Sequence, residues 1–128
     1  MLRYELEERY RPYAVPNMHA LRLKIEKVRE LIEECQINDL AVIGIDAFLI
    51  LRDSESGKQA TVPESYLDGD WSKLLTNNLP SSRADWAIIR QQCNAQAISF
   101  LDSPYCQCLT ILPEFYLEPV LQSYDELT

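Results

Sequence analysis

Apolar residues recur along this chain with two different periods, and the switches between them divide it into elements. Between Met18 and Cys35 the apolar positions Leu21, Ile25, Val28, Ile32 and Cys35 are spaced alternately four and three apart. That is one stripe of an amphipathic helix, predicted over 18–35. Asn17, just after Pro16, sits where an N-cap belongs. Arg22–Glu26 and Arg29–Glu33 are i,i+4 pairs on the wet side. The stripe is too short for a coiled coil and suits a helix packed on a sheet.

The period then drops to two. In Leu40–Arg52, LAVIGIDAFLILR, the set Ala41, Ile43, Ile45, Ala47, Leu49 and Leu51 is wholly apolar. The other set, Leu40, Val42, Gly44, Asp46, Phe48 and Ile50, contains one acid. This predicts a central strand covered on both sides and bent at Gly44. A buried helix is the alternative, and the Ile and Val content favours strand. Residues 53–58, DSESGK, read as a turn and Gln59–Val62 as the return strand of a hairpin.

Residues 63–80 are irregular, with a helical turn between Trp71 and Leu75. Ser82 followed three residues later by Asp85 forms a capping box for a second long helix, 83–101. Trp86, Ile89, Cys93, Ala97 and Phe100 are its expected buried side, and Asp102-Ser103-Pro104 its stop. Cys106, Cys108, Thr110 and Leu112 alternate, which predicts a third strand over 106–112. Residues 113–119 read as a turn between two prolines, and 119–127 as a last short helix with Pro119 at its first position. Before all of these, residues 1–16 mix arginines, glutamates and tyrosines, an arm whose tyrosines pack on the body.

The expected fold is therefore α+β: a small, mostly antiparallel sheet, hairpin plus third strand, packed against two long helices. At 128 residues the chain is expected to form a single domain. A chain of this length buries about two thirds of its unfolded surface, so it needs neither a disulfide nor a metal to fold.

Charge is distributed unevenly. Residues 1–32 carry seven basic and five acidic side chains, and residues 33–128 carry five and fifteen. After Arg90 no basic residue occurs. The acidic back half disfavours nucleic acid and membrane surfaces as partners and favours a basic protein. The N-terminus lacks a signal-type apolar core, and the longest apolar run is too short to span a bilayer, so a cytoplasmic location is expected. In that compartment Cys35, Cys93, Cys106 and Cys108 are expected to be reduced. The spacing of Cys106 and Cys108 is wrong for a zinc knuckle.

Catalytic chemistry is hard to assemble from these residues. His19 is the single histidine, and three glycines build no phosphate-binding loop. Asp46, in an apolar strand, is the best lone acid; the structural reading, in which it is paired with an arginine such as Arg90, is preferred. Asp68-Gly69-Asp70 lacks the later ligands of a calcium loop. No catalytic residue, metal ligand or cofactor is assigned, and an enzyme is not expected.

Two irregular segments place aromatics beside acids: Tyr66, Asp68, Asp70 and Trp71, then Glu114, Tyr116 and Glu118. Such sets suit a hot spot that receives Arg or Lys from a basic partner. In Leu31–Ala60 a charged helix runs into AVIGIDAFLILRDSESGKQA. With the chain's size and acidity, this stretch resembles the small immunity proteins of bacterial polymorphic and contact-dependent toxin systems. The resemblance implies a non-enzymatic protein that binds a cognate toxin, often a basic nuclease, and occludes its active face. It assigns no residue by position. The alternative is an acidic secretion chaperone that holds an effector segment as a dimer; the sequence leaves the oligomeric state open.

Overall fold

The structure is a computed structural model that describes residues 2–16, 18–52, 55–56, 59–63 and 69–127, with backbone alone at 51–52 and 59–63. It is α+β. Helix α1 (Arg3–Tyr10) precedes α2 (Ile25–Ile37), strand β1 (Leu40–Arg52) and strand β2 (Gln59–Pro63). The two-residue strand β3 (Gly69–Asp70), the turn α3 (Lys73–Thr76), helices α4 (Arg83–Leu101) and α5 (Pro104–Leu109), and strand β4 (Phe115–Ser123) follow. All strand pairings are antiparallel. Among the described residues no helix is long and apolar enough to cross a membrane.

Strand β1 is the axis of the sheet. Along one edge it pairs with β4 from Leu40↔Ser123 to Leu49↔Phe115, with a register shift between Val42 and Gly44. Along the other edge it meets β3 at Gly44↔Asp70 and Ile45↔Gly69, then β2 from Phe48↔Pro63 to Arg52↔Gln59. The expected hairpin is therefore present. Gly44 eases the close approach of β3: a Cβ there would sit 3.0 Å from the Gly69 carbonyl oxygen, a tight contact. Helices α2 and α4 pack on one face of β1, through a core that includes Val28, Leu31, Cys35, Ala41, Ile45, Ala47, Trp86, Cys93 and Ala97.

The first long helix begins later than its stripe implies. Leu21 and Leu23 are both buried, two apart, and the N–H and C=O of Leu23 bond the C=O and N–H of Leu117 at 2.8 Å each. Residues 21–24 therefore run extended along the outer edge of β4, and the helix starts after Lys24, whose side chain makes no cap bond. Leu21 and Ile25 fit a helical stripe, but Leu21 and Leu23 fit a strand equally well, and pairing with β4 decides between them. Asn17, the expected cap, lies outside the described residues.

The second helix spans 83–101 as expected, and the Ser82 hydroxyl accepts the Asp85 N–H at 3.2 Å. Its inner side adds Asn94 and Leu101, and Phe100 is half-buried against Trp71. In the arm, Leu6 and Tyr10 are buried, while Tyr4 and Tyr13 are exposed.

The C-terminal third corrects the expectation. Residues 104–109 are helical, not a strand: the Ser103 hydroxyl caps the Cys106 N–H and Pro104 opens the turn. Ser-Pro is an N-cap and first-position signal as well as a stop signal. Cys106 is consequently buried and Cys108 exposed, not side by side on a strand face. The third long strand is β4, where a turn and a short helix were expected. Its alternate residues Phe115, Leu117, Pro119 and Leu121 are buried. Pro119 is tolerated because Leu117, two residues earlier, turns its N–H away from β1 toward Leu23. The N–H that Pro119 lacks would face the same outer edge, so no bond to β1 is lost.

Candidate functional site

The β1–β4 register sorts the expected site residues by face. Ile45↔Pro119, Ala47↔Leu117 and Leu49↔Phe115 point toward the helices, so Gly44↔Val120, Asp46↔Glu118 and Phe48↔Tyr116 point the other way. Leu23 faces inward beside Leu117, which turns its neighbours Arg22 and Lys24 onto this same outer face. The outer face therefore carries two rows, one of Arg22, Glu118 and Asp46 and one of Lys24, Tyr116 and Phe48.

These rows are largely satisfied from within the chain. Arg22 Nε lies 3.3 Å from Glu118 Oε1, and its guanidinium stands 3.9 Å above the Phe48 ring. Lys24 Nζ stands 4.3 Å over the Tyr116 ring and donates to the carbonyls of Pro113 and Phe115. Burial holds the Lys24 ammonium below its usual range, with Glu114 and Glu26 opposing that shift. Burial raises the Glu118 carboxyl, Arg22 opposes this, and Asp46 adds to it. Like charges directly opposed across strands repel, and Arg22 compensates here.

Arginines of the first 32 residues meet several of the back half's acids, although the chain keeps a net charge of −8. Arg3 holds Glu126 in a two-point contact at 3.0 and 3.1 Å, and Arg29 holds Asp102 at 2.7 Å. Asp46 does not pair with Arg90 as expected. Arg90 reaches Asp39, whose carboxylate also takes Arg83 at 2.8 Å. Asp39 has φ 62°, the left-handed conformation in which helices often end.

Of the residues singled out for partner binding, Tyr66 and Asp68 lie outside the described residues. Glu114, Tyr116 and Glu118 come together at β4, beside Lys24 and Arg22. Trp71 is not a surface anchor: it is 8% exposed, its indole N–H donates to the Val42 carbonyl at 2.6 Å, and its ring packs on Phe100. Asp70 is exposed and accepts the Ser72 N–H at 2.9 Å, a bond that holds its carboxyl below the usual range. Asp70 and Asp46 line one cleft of about 230 Å³ with Ile43, Gly44, Gly69, Ser72 and Val120. The cleft exists because β3 meets β1 at Gly44, directly opposite Val120.

Among the described residues no group of three or more His, Cys, Asp or Glu side chains is placed to hold a metal ion. His19 is exposed, and its carbonyl accepts from Arg11 at 2.7 Å. The cleft sets the exposed Asp70 carboxylate, and Asp46 of the outer-face row, beside an apolar rim. Sequence reading missed Arg22 and Lys24 as members of this face, because it placed both in a helix. The alternation of Leu21 and Leu23 was the available signal. The chain matches no protein-family model, no curated protein and no solved structure.

Proposed function

We propose that this is a non-enzymatic binding protein, an immunity protein that neutralises a basic protein toxin by covering its active face. The observation that carries the reading is the cleft beside Gly44. Asp46 and Asp70 border it, Ile43 and Val120 supply apolar rim, and Val120 is 38% exposed. An arginine or lysine of the toxin would meet the exposed Asp70 carboxylate at the cleft, and its stem would lie on the apolar rim. The net charge of −8 would speed the encounter. The reading goes with a cytoplasmic location, where a toxin would be met and thiols stay reduced.

Glu114, Tyr116 and Glu118 take a supporting part in this reading, since Lys24 and Arg22 already hold that row. Asp70 is the residue to test, because reversing Glu118 would also break its pair with Arg22. The assay is growth of cells producing the toxin encoded beside this gene. Wild type should protect, Asp70→Lys should fail, and Asp70→Asn, which keeps an acceptor for Ser72, should protect less well than wild type. Circular dichroism checks the fold of each variant. The association rate with purified toxin should drop steeply as salt is added. Full protection by Asp70→Lys would remove the cleft from the interface, and a neighbouring gene product against which wild type gives no protection would overturn the reading.

A further inference from the structure

On α2 one carboxylate has lost the partner that its spacing offers. Arg29 and Glu33 stand i,i+4, but Arg29 reaches across to Asp102 at 2.7 Å instead. Glu33 is exposed, and among the described residues no cation pairs with it. Glu5, Glu26 and Asp85, by contrast, occupy first turns of helices, where the dipole favours an acid. Glu33 lies in the second half of α2 and has no such role. It borders a groove of about 370 Å³ between α2 and α4, in which Ile32, Ala95 and Ile98 are the apolar lining. Gln36 stands beside it, its Oε1 held by Asn94 Nδ2 at 2.8 Å. The α4 wall adds no charge, since none occurs between Arg90 and Asp102, and Arg90 is drawn off to Asp39. Among the described residues the groove is therefore an apolar floor with a single charge, and that charge is negative.

We propose that the α2–α4 groove receives a basic amphipathic helix of a partner protein. Its apolar side lies on Ile32, Ala95 and Ile98, and a lysine or arginine of its flank meets Glu33. Charge names the sign of the partner: a chain of net −8 attracts cations at a distance, and Glu33 takes one up beside a floor that holds no competing cation. A cationic side chain can lay its stem on that floor and keep its head at the carboxylate. The walls name the conformation. Both are helices, whose backbone groups are bonded within themselves, so the groove offers no strand edge to pair with. A segment lying on an apolar floor must then satisfy its own N–H and C=O groups, and a helix does so. Ala95 is small and lets the incoming helix approach closely. The groove lies on the helical layer, on the other side of the sheet from its outer face, and does not depend on the toxin reading.

The probe is a synthetic amphipathic helix of leucines and lysines, set against a counterpart with the same leucine pattern and glutamates for lysines. Each is titrated into the full chain, and binding is followed by methyl NMR. The lysine peptide should bind saturably, with the largest shifts at Ile32, Ala95 and Ile98, and the glutamate peptide should not bind. Glu33→Lys should weaken binding about fivefold or more. Glu5→Lys makes the same change of net charge on α1 and should weaken it less than about twofold. Ala95→Gln fills the groove without altering charge and should also cost about fivefold or more. Circular dichroism checks the fold of each variant. Absence of saturable binding overturns the proposal, as do equal binding of the two peptides and shifts centred elsewhere. So does a Glu5→Lys effect as large as that of Glu33→Lys, which would mean attraction by net charge alone, or an Ala95→Gln variant that binds as wild type does. A chain that dimerises through Ile32, Ala95 and Ile98 without peptide would give the groove to a second copy and overturn it as well.

Discussion

Asn94 offers the sharpest test of how this fold is held. It is a polar side chain in the core, 4% exposed, on the inner side of α4. Its Oδ1 accepts the Val42 N–H at 2.8 Å, and its Nδ2 donates to the Leu40 carbonyl at 3.0 Å and to Gln36 Oε1 at 2.8 Å. The amide therefore imitates one residue of a neighbouring strand on the edge of β1, where β3 does not reach. Asn94→Ala would leave the Val42 N–H and the Leu40 carbonyl buried and unmet. Each such loss costs about 1–3 kcal/mol, so the pair costs about 2–6 kcal/mol. Against a total stability of about 5–15 kcal/mol that is a large fraction. Urea titration followed by tryptophan fluorescence should show a lower midpoint with an unchanged slope. Hydrogen exchange at the Val42 amide should accelerate. Asn94→Asp adds a sign test. Its carboxylate would face the Leu40 and Gln36 oxygens, so ionisation would be opposed and the folded pKa raised. Stability relative to wild type should then fall as pH rises through that pKa and recover on acidification. An Asn94→Ala variant within about 1 kcal/mol of wild type, or an Asn94→Asp variant with no such pH dependence, would refute the edge-capping account.

Trp71→Ala should cost about 3–5 kcal/mol of stability through lost packing, and Trp71→Phe about 1–3 kcal/mol through the orphaned Val42 carbonyl; a Trp71→Ala protein with an unchanged urea midpoint and no toxin binding would return this residue to the docking surface. Burial pushes the Cys93 and Cys106 thiols up to about 11 and the Cys35 thiol higher still, while Cys108 is exposed. Titration with a disulfide reagent near neutral pH should therefore find one fast thiol in the native protein and four in denaturant, and a second fast native thiol would contradict the packing. The Glu118 carboxyl is raised by burial, so the folded state favours its protonated form; that contribution is present below the unfolded pKa and lost as pH rises through the folded one. The stability of Glu118→Gln measured against wild type should accordingly improve as pH rises through the carboxylate range, and a flat difference would mean that Arg22 fully offsets burial.

Local pattern was enough for the elements whose signal is local. The Ile- and Val-rich run LAVIGIDAFLILR and the Ser82–Asp85 box define β1 and the start of α4, because strand propensity and capping act within a few residues. The hairpin and the α+β class follow from the same information. Partner-dependent choices were not legible. Leu21–Lys24 runs extended because β4 offers Leu117 as a bonding partner from far along the chain. Residues 104–109 coil because Ser103 and Pro104 cap them, although Cys106 and Cys108 alternate as a strand would. β4 forms despite Pro119 because that residue's missing donor falls on the outer edge. The site divides the same way. Composition announced an acidic back half, but only the β1–β4 register set Glu118 against Asp46 and brought Arg22 and Lys24 over both rows. Charge and periodicity are properties of a chain, and they determined its fold class, its β1–β2 hairpin and its second long helix. Which charges cancel, which aromatics are buried and which face stays bare depend on contacts between distant residues, and those were decided by the tertiary structure.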